Sequence, residues 1–355
     1  MVALKITNLL YRVVHWETWP YLVKYIPLTP AWLWYCFRAG SFWFFTSSNP
    51  TLTFGGFEGE SKNEMYLQLP PGSYPRSILI SHNLTFAEAE KLATAGKFKF
   101  PFAVKPDVGM MGFMFRKIEN ADQFQKYHSA MPVDYIVQYY IEYPLEVSVF
   151  YYRYPDEASG HITGFLKKEF LQVTGDGKST LLELILKYPR VRFRLEEMKL
   201  KHEKRLYEII PPGEVYCLSY ALNLSRGGKL VSLAHEKDSR LLQVFNGLHH
   251  YTKHFYYGRY DIKCSSIEDL KKGQNFSILE YNGSGAEPHH IYGDGNTLLQ
   301  AYRIVLHHWN ALYKISKLNH NNGRVYWTFG KGFRFLQRAR QHFRTLKKLD
   351  TTFEL

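Results

Sequence analysis

The sequence is short of cysteine and of long uninterrupted hydrophobic runs, and each shortage excludes a class of protein. Its 355 residues include three cysteines, Cys36, Cys217 and Cys264, which are far apart in the chain. Three widely spaced thiols form neither a disulfide framework nor a paired CxxC metal knuckle, so they favour a reducing compartment. The most apolar stretch, 31–45, is interrupted by Arg38 and is shorter than the roughly 20 residues of a membrane-spanning helix.

The N-terminal residues do not have the pattern of a secretory signal. The stretch MVALKITNLLYRVV has one lysine before a short apolar segment, which Tyr11, Arg12 and His15 interrupt. A signal peptide needs a longer apolar region and a small-residue cleavage site. Residues 2–15 have the apolar spacing of a helix instead. We therefore expect a cytoplasmic protein.

Positive charge is in excess, but it is concentrated near the C-terminus. The chain has 45 Lys and Arg against 32 Asp and Glu, a net charge of +13, and its 45% apolar content is typical of a folded protein. Between Arg324 and Lys348 there are eight basic residues and no acidic one, followed only by Asp350 and Glu354. Because this tail supplies almost half of the net charge, the overall basicity does not by itself indicate a nucleic-acid partner.

The apolar periodicity predicts short helices and strands in alternation, without a 20–50-residue repeat. An aromatic stretch punctuated by prolines, up to about residue 50, predicts irregular structure, and the glycine-rich segment 51–60 predicts a loop. The expected strands are 76–81, 100–105, 113–117, 135–138, 146–152, 257–262 and 276–280, and the expected helices include 62–68, 85–95, 122–127, 241–255 and 296–316. This order predicts an α+β fold with antiparallel sheets.

A first chemical motif is FPFAVKPDVGMMG, which begins at residue 100. A strand there delivers Lys105 into a turn that contains Gly109 and Gly112. Glycines let backbone N–H groups approach phosphate oxygens, and a lysine adds a positive charge. The motif indicates a phosphate site, and a simple hairpin with a surface lysine is the alternative.

A second motif combines YGRYD with ILEYNGS. Residues two apart on a strand share a face, so Arg259 and Asp261 point the same way, as do Glu280 and Asn282. If the two strands pair, two carboxylates and an amide oxygen converge, and this oxygen set suits Mg²⁺. The alternative is a solvated sheet face that carries an Arg–Asp pair.

A third motif, TGDGKS at 174–179, ends like a phosphate-binding P-loop. That loop requires a glycine at position 172, where this chain has Gln172. The sequence therefore argues against a P-loop nucleotidase.

Taken in order, these motifs resemble the ATP-grasp superfamily over about 62–292, two thirds of the chain. The segments 173–185 and 215–228 resemble the cyanophycin synthetase type, and ILEYNGSG is similar to the metal-binding strand of D-alanine–D-alanine ligases and their relatives. The resemblance implies two α+β subdomains that hold ATP between them.

The resemblance also implies roles for individual residues. The residues that would bind ATP are Lys62 and Lys105 at the phosphates, Gly109 to Gly112 as the loop over them, Gln138, Tyr140 and Ile141 at the adenine, and Glu146 at the ribose. The metal would be two Mg²⁺ ions, with Mn²⁺ as an alternative. Its ligands would be Asp261, Glu280 and Asn282. Lys168 would face the γ-phosphate and Arg259 the acyl phosphate.

The implied activity is an ATP-dependent carboxylate–amine ligase that proceeds through an acyl phosphate and releases ADP and phosphate. A catalytically silent ATP-binding scaffold or sensor at a membrane surface is the alternative, and a nucleic-acid binder that uses the basic tail is a third. His289 and His290 are candidate general bases, although packing or surface roles are favoured for them. The two substrates and the oligomeric state, with a homo-oligomer as one option, stay open.

The resemblance divides the chain into four regions. They are a helical, aromatic-rich N-terminal region (1–60), a linker helix with an ATP-grasp lid (61–145), a core subdomain with the metal site (146–318) and a basic amphipathic tail (319–355). Such ligases normally begin with a Rossmann-like domain, which has no counterpart in the 61 residues before Lys62. The tail either lies on an anionic membrane or packs its apolar stripe on the protein, and packing is favoured. The aromatic N-terminal region could form core, a partner interface or a membrane-surface belt.

Overall fold

The computed structural model describes residues 11–188, 191, 194–219, 228–293 and 295–355. The chain divides into a smaller unit, Met1–Pro30, Lys167–Ser232 and His289–Ile304, and a larger unit, Ala31–Leu166, Leu233–Pro288 and Val305–Leu355. Helices and antiparallel strands are mixed in the chain, so the predicted α+β class is confirmed. Most of the helix predicted at 2–15 lies outside the described residues.

The secondary structure follows the predicted alternation with small shifts at the ends. The helices are α1 (Tyr21–Tyr25), α2 (Thr29–Ala39), α3 (Lys62–Tyr66), α4 (Phe86–Ala95), α5 (Ala121–Ala130), α6 (Leu181–Lys187), α7 (Leu195–Lys201), α8 (Ser239–Thr252), α9 (Ile267–Lys271), α10 (His290–Gly293), α11 (Leu298–Asn321) and α12 (Phe329–Thr352). The strands are β1 (Ser77–Ile80), β2 (Phe102–Pro106), β3 (Arg116–Ile118), β4 (Tyr135–Tyr139), β5 (Leu145–Tyr152), β6 (His161–Glu169), β7 (Leu171–Thr174), β8 (Val215–Ser219), β9 (Lys229–Ser232), β10 (Tyr257–Cys264) and β11 (Phe276–Asn282).

One sheet of the larger unit has the strand order β1-β4-β2-β3. Its pairs are antiparallel, with Ser77 opposite Gln138 and Ala103 also opposite Gln138 on the other side of β4. Helices α4 and α5 cover its core, and α4 begins where the sequence predicts because Thr85 and Glu88 form a reciprocal capping box.

A second sheet of the larger unit places β10 between β11 and β5, with both pairs antiparallel. Helix α8 packs its apolar side, which includes Leu241 and Phe245, on this sheet. The aspartate before the helix, Asp238, accepts a hydrogen bond from the Leu241 N–H and so caps the first turn.

A third core in the larger unit is built largely of aromatic side chains. Trp43, Phe44 and Phe54 are buried there against α11, which contributes Leu312. The irregular structure predicted before residue 50 is wrong for 29–39, which form helix α2. The side of α2 that carries Cys36 packs into this core, and that tertiary contact stabilises a helix that the local aromatic and proline content did not indicate.

The smaller unit has a two-stranded sheet, β7 with β8, covered by α6 and α7. Thr180 caps α6 in a capping box with Glu183. Strand β8 ends at Ser219, and residues 220–227 lie outside the described part of the chain. Within the described residues no helix combines the length and apolarity needed to cross a membrane.

The C-terminal basic segment is the 24-residue helix α12 of the larger unit. It buries Phe343 and Leu346, and Leu346 joins the core of the β1-β4-β2-β3 sheet. Asp350 accepts hydrogen bonds from the Met114 N–H and from Arg116, both at 2.9 Å. The predicted packing of the apolar stripe is therefore what the structure shows for Phe343 and Leu346, whereas Phe333 of the same stripe is exposed.

Candidate functional site

The two strands with the predicted metal ligands pair as the sequence analysis required. Asp261 of β10 lies opposite Glu280 of β11, and Arg259 lies opposite Asn282. The Asn282 amide donates to Asp261 at 3.4 Å. The antiparallel ladder therefore brings two carboxylates and an amide together within the larger unit.

Arg259 and Asp261 form a buried ion pair. The guanidinium approaches both oxygens of the Asp261 carboxylate at 3.3 Å and also donates to the Glu287 carbonyl at 3.1 Å. The two residues are 9% and 6% exposed, so the pair does not belong to a solvated sheet face. A buried charge requires a partner of this kind, because its desolvation costs several kcal/mol.

Lys62 connects the glycine loop with strand β11. It is the first residue of α3, which Ser61 caps by accepting a hydrogen bond from the Glu64 N–H. The Lys62 ammonium donates to the Gly109 carbonyl at 2.9 Å and lies 3.4 Å from the Glu280 carboxylate. The first predicted phosphate lysine is therefore adjacent to a predicted metal ligand.

Lys105 contacts Leu279, which precedes Glu280 on strand β11. Its ammonium donates to the Tyr66 hydroxyl at 2.9 Å and to the Leu279 carbonyl at 3.2 Å, while the Tyr66 hydroxyl donates to the same carbonyl at 2.6 Å. Burial lowers the pKa of Lys105 to about 8, against the opposing effect of Glu280 and Asp107. Two lysines from separate elements thus meet β11 at consecutive positions, 279 and 280.

The glycine loop is held at both of its ends. Gly112 has a positive φ of 71°, a conformation that a residue without Cβ adopts readily. His342 of α12 donates to the Val108 carbonyl at 2.7 Å on one side, and Met114 is fully buried on the other. Met110 and Met111 between them are 37% and 45% exposed. Of the bulky residues of this loop, Met114 is therefore packed in the core of the β1-β4-β2-β3 sheet.

The residues predicted at the adenine lie at the end of β4. The buried Gln138 side chain donates to Ser77 at 2.8 Å, and the Ile141 carbonyl accepts from Lys263 at 2.9 Å. The Tyr140 ring has the ammonium groups of Lys117 and Lys263 at 5.0 and 5.8 Å from its centre. This corner of the site therefore presents an aromatic ring with two cations beside it.

Glu146, the predicted ribose ligand, lies opposite Lys263 in the β5–β10 ladder, which places it next to this corner. Lys168, His289 and His290 belong to the smaller unit, so their predicted roles stay predictions.

Sequence reasoning missed Glu60, two residues before Lys62. Its Oε2 atom is buried and has no hydrogen-bond partner within the described residues. Burial raises the pKa of Glu60 to about 7, although the nearby Lys62 opposes this, and the carboxylates of Glu280 and Glu58 raise it further. The glutamate stands in a glycine-rich segment whose composition predicts only a loop, so no signal in the sequence marked it.

A second feature missed by sequence reasoning is a glycine-to-glycine contact that fixes the end of β11. The Ser284 N–H donates to the Gly55 carbonyl at 3.1 Å, and the Gly285 N–H donates to the Gly56 carbonyl at 3.3 Å. A Cβ on Gly285 would overlap the Phe57 carbonyl. The turn after the predicted metal strand therefore requires glycine for its close approach to 55–57.

Asn49, which lies beside the aromatic core, links the glycine segment at Gly55 to the start of β10 at Tyr257. Its side chain donates to the Gly55 carbonyl at 3.0 Å and to the Tyr257 carbonyl at 2.9 Å, and it accepts from the Tyr257 N–H at 3.1 Å. The residue is fully buried. The segment before Lys62 thus holds the start of β10 and the turn after β11 in one position.

The donor set fits Mg²⁺ by its chemistry. Asp261, Glu280 and Asn282 offer only oxygen ligands of the hard type that this ion takes, and Mg²⁺ completes its shell with water and substrate oxygens. Among the described residues, no group of three or more His, Cys, Asp and Glu side chains is arranged to hold a metal. The third donor is the Asn282 amide, and the two carboxylates are paired with Lys62 and Arg259 in this structure.

Comparisons with known proteins give structural matches only. No protein-family model and no curated protein match the sequence. Among solved structures, a bifunctional glutathione synthetase from Pasteurella multocida matches 66% of this chain and 34% of its own at 16% identity, with a TM-score of 0.41. A D-alanine–D-alanine ligase from Bacillus anthracis matches 74% of this chain and 67% of its own at 13% identity, with a TM-score of 0.38. A VanG D-Ala:D-Ser ligase from Enterococcus faecalis matches 68% of this chain and 57% of its own at 14% identity, with a TM-score of 0.38.

This chain is therefore similar in structure, at 13–16% identity, to the three solved ligases. This chain spans about a third of the glutathione synthetase and 57–67% of the two other ligases.

Proposed function

We propose that this chain is an ATP-dependent ligase that joins a carboxylate to an amine. In the proposed reaction, a carboxylate oxygen of one substrate attacks the γ-phosphorus of ATP, which gives an acyl phosphate and ADP. The amine then attacks the acyl carbon, and phosphate leaves as the amide forms. The observation that carries the proposal is the meeting of Lys62 and Lys105 with β11 beside the Asp261–Glu280 pair.

The phosphate side of the proposal rests on the two lysines and the glycine loop. The Lys105 ammonium is desolvated by burial, so a phosphate oxygen placed beside it would interact more strongly than at a fully solvated lysine. Lys62 is held against the Gly109 carbonyl, which keeps the loop and the second ammonium together. Fixed positive groups of this kind stabilise charge on a transferring phosphoryl group without reorganising.

Asp261, Glu280 and Asn282 are the residues that would hold Mg²⁺. When bound, the ion would neutralise phosphate charge and orient the transferring group. Arg259, fixed by Asp261 and by the Glu287 carbonyl, would present a positive charge to the oxyanion that forms at the acyl carbon. Lys168 is proposed for the γ-phosphate. Tyr140 and Ile141 are proposed for the adenine and Glu146 for the ribose.

The proposal is tested by measuring ADP release over a panel of amino acids and hydroxy acids, supplied singly and in pairs. We expect Asp261→Asn, Glu280→Gln and Asn282→Ala to abolish Mg²⁺-dependent release. Glu268→Gln is the matched control, since this carboxylate is 57% exposed and pairs with Arg240 away from the β10–β11 ladder. Hydroxylamine in place of the amine should trap the acyl phosphate as a hydroxamate, which is a direct readout of the intermediate.

The result separates the two main hypotheses. ATP binding that depends on Lys105 without any ADP release would favour the catalytically silent scaffold. Full ADP release by the three ligand variants would refute the metal assignment. Hydroxamate formation without ADP would contradict the phosphoryl-transfer step itself.

A further inference from the structure

Helix α2 exposes an apolar side to solvent. Leu33, Trp34 and Phe37 on that side are 51%, 56% and 78% exposed, and Arg38 is their charged neighbour on the same side. The opposite side, with Cys36, is packed in the aromatic core. A helix that is apolar all round is normally buried on every side, so the outward side of α2 calls for a partner.

The first turns of α12 continue this apolar surface. Phe329 and Phe333 are 63% and 49% exposed, and their rings stack with centres 6.1 Å apart. Phe42 lies 5.9 Å from Phe329, and its carbonyl accepts a hydrogen bond from Cys36 of α2. We call the six residues the aromatic face; they are Leu33, Trp34, Phe37, Phe42, Phe329 and Phe333.

The two segments that build the aromatic face carry a strong excess of positive charge, although Glu58, which follows the first segment directly, lies near Arg340. The segments, 31–57 and 305–349 of the larger unit, contain eleven Lys and Arg and no Asp or Glu. On α12 the exposed positions after Phe333 include Arg334, Arg338 and Arg344. A surface with exposed rings and a strong excess of positive charge is complementary to a partner that is anionic outside and apolar beneath.

The packing of α12 buries only part of the apolar stripe of the tail. Phe343 and Leu346 face the core and are unavailable to a partner. The apolar groups that remain outside lie at the start of the helix, next to Phe42, and the cations follow along its length.

We propose that the aromatic face docks the larger unit on the surface of an anionic lipid bilayer, as a peripheral contact. Aromatic side chains insert at the interface of a bilayer, and each basic residue close to an anionic surface adds about 1 kcal/mol, or about fivefold in binding. A second copy of the chain fits less well because it would bring like charges together. A nucleic acid would use the cations and leave the apolar side of α2 uncovered.

The first test is cosedimentation of the full-length protein with vesicles of phosphatidylcholine, with and without phosphatidylglycerol. We expect binding to the anionic vesicles only, and a marked loss in 1 M salt, where the Debye length is about 3 Å. Phe37→Ser and Phe329→Ser should each weaken binding about tenfold, which corresponds to about 1.4 kcal/mol of apolar burial. Tyr207→Ser is the matched control, because Tyr207 is 77% exposed in the smaller unit.

The second test measures whether the Trp34 side chain itself contacts lipid. Brominated phospholipid should quench a tryptophan signal that is lost in Trp34→Phe, and the quenching should require anionic lipid. Equal binding to neutral and anionic vesicles, equal loss in Tyr207→Ser, or the absence of Trp34 quenching would overturn the proposal. So would a dimer that Phe37→Ser dissociates, or RNA binding that Phe37→Ser leaves unchanged while vesicle binding is absent.

Discussion

Lys105→Met should make the protein more stable while it removes ATP binding. The Lys105 ammonium is desolvated, which lowers its pKa from 10.5 to about 8. At pH 7 the folded state therefore holds a proton at a cost of about 3 kcal/mol, calculated at about 1.36 kcal/mol per pKa unit. Part of the side chain reaches solvent, so the measured gain should lie below this figure. The substitution leaves neither Tyr66 nor the Leu279 carbonyl without a hydrogen-bond partner, because the Tyr66 hydroxyl continues to donate to that carbonyl.

The sign of the pH dependence makes this prediction specific. Below pH 8 the lysine is protonated in both states and the folded state bears the whole cost. Between pH 8 and 10.5 the folded state loses the proton first, so wild-type stability rises relative to the variant. The advantage of Lys105→Met should therefore fall from at most about 3 kcal/mol at pH 7 to at most about 1.4 kcal/mol at pH 9.5.

The assay is urea unfolding followed by tryptophan fluorescence at both pH values, together with ATP titration. Lys126→Met, at an exposed lysine on α5, is the control and should change neither quantity. A variant that is less stable than wild type at pH 7, or equally stabilised at both pH values, would refute the reasoning about burial. Unchanged ATP affinity in a stabilised Lys105→Met would leave the burial argument standing and remove the phosphate role.

Three further substitutions test the parts of the fold that hold the site. Gly285→Ala should lower the free energy of unfolding by about 2 kcal/mol or more, because the new Cβ would overlap the Phe57 backbone. Its control is Gly247→Ala, in the open middle of α8, which should raise the free energy of unfolding by about 0.5–1 kcal/mol. Leu346→Ala should cost about 2–5 kcal/mol in denaturant unfolding, while its exposed neighbour Lys347→Ala should cost almost nothing. Burial lowers the pKa of His249 to about 4, so wild-type stability should fall by about 3 kcal/mol from pH 6.5 to 4, and His249→Gln should lack this loss.

Local chemistry could be predicted from the sequence because it depends on residues a few positions apart. The capping boxes at Thr85 and Thr180 and the cap at Ser61 lie where their motifs indicate. The spacing of two between Arg259 and Asp261 predicted one shared face, and the paired strands show it as a buried ion pair.

Contacts between distant segments could not be predicted, because periodicity carries no information on what an element packs against. Glu60 looks like an ordinary loop residue until the chain buries it near Lys62. Asn49 gains its role only when β10 begins beside it, 208 residues later.

The sequence by itself determined the α+β class, the positions of most elements and the residue types of the proposed ATP and Mg²⁺ site, since composition, caps and alternation are local properties. Only the tertiary structure decided that Lys62 and Lys105 meet β11 at consecutive residues and that glycines 55 and 56 hold the turn after it. It also decided that α12 turns Leu346 inward and leaves Phe329 outside. These outcomes depend on which apolar surfaces bury one another, and that is settled by the packing of the whole chain.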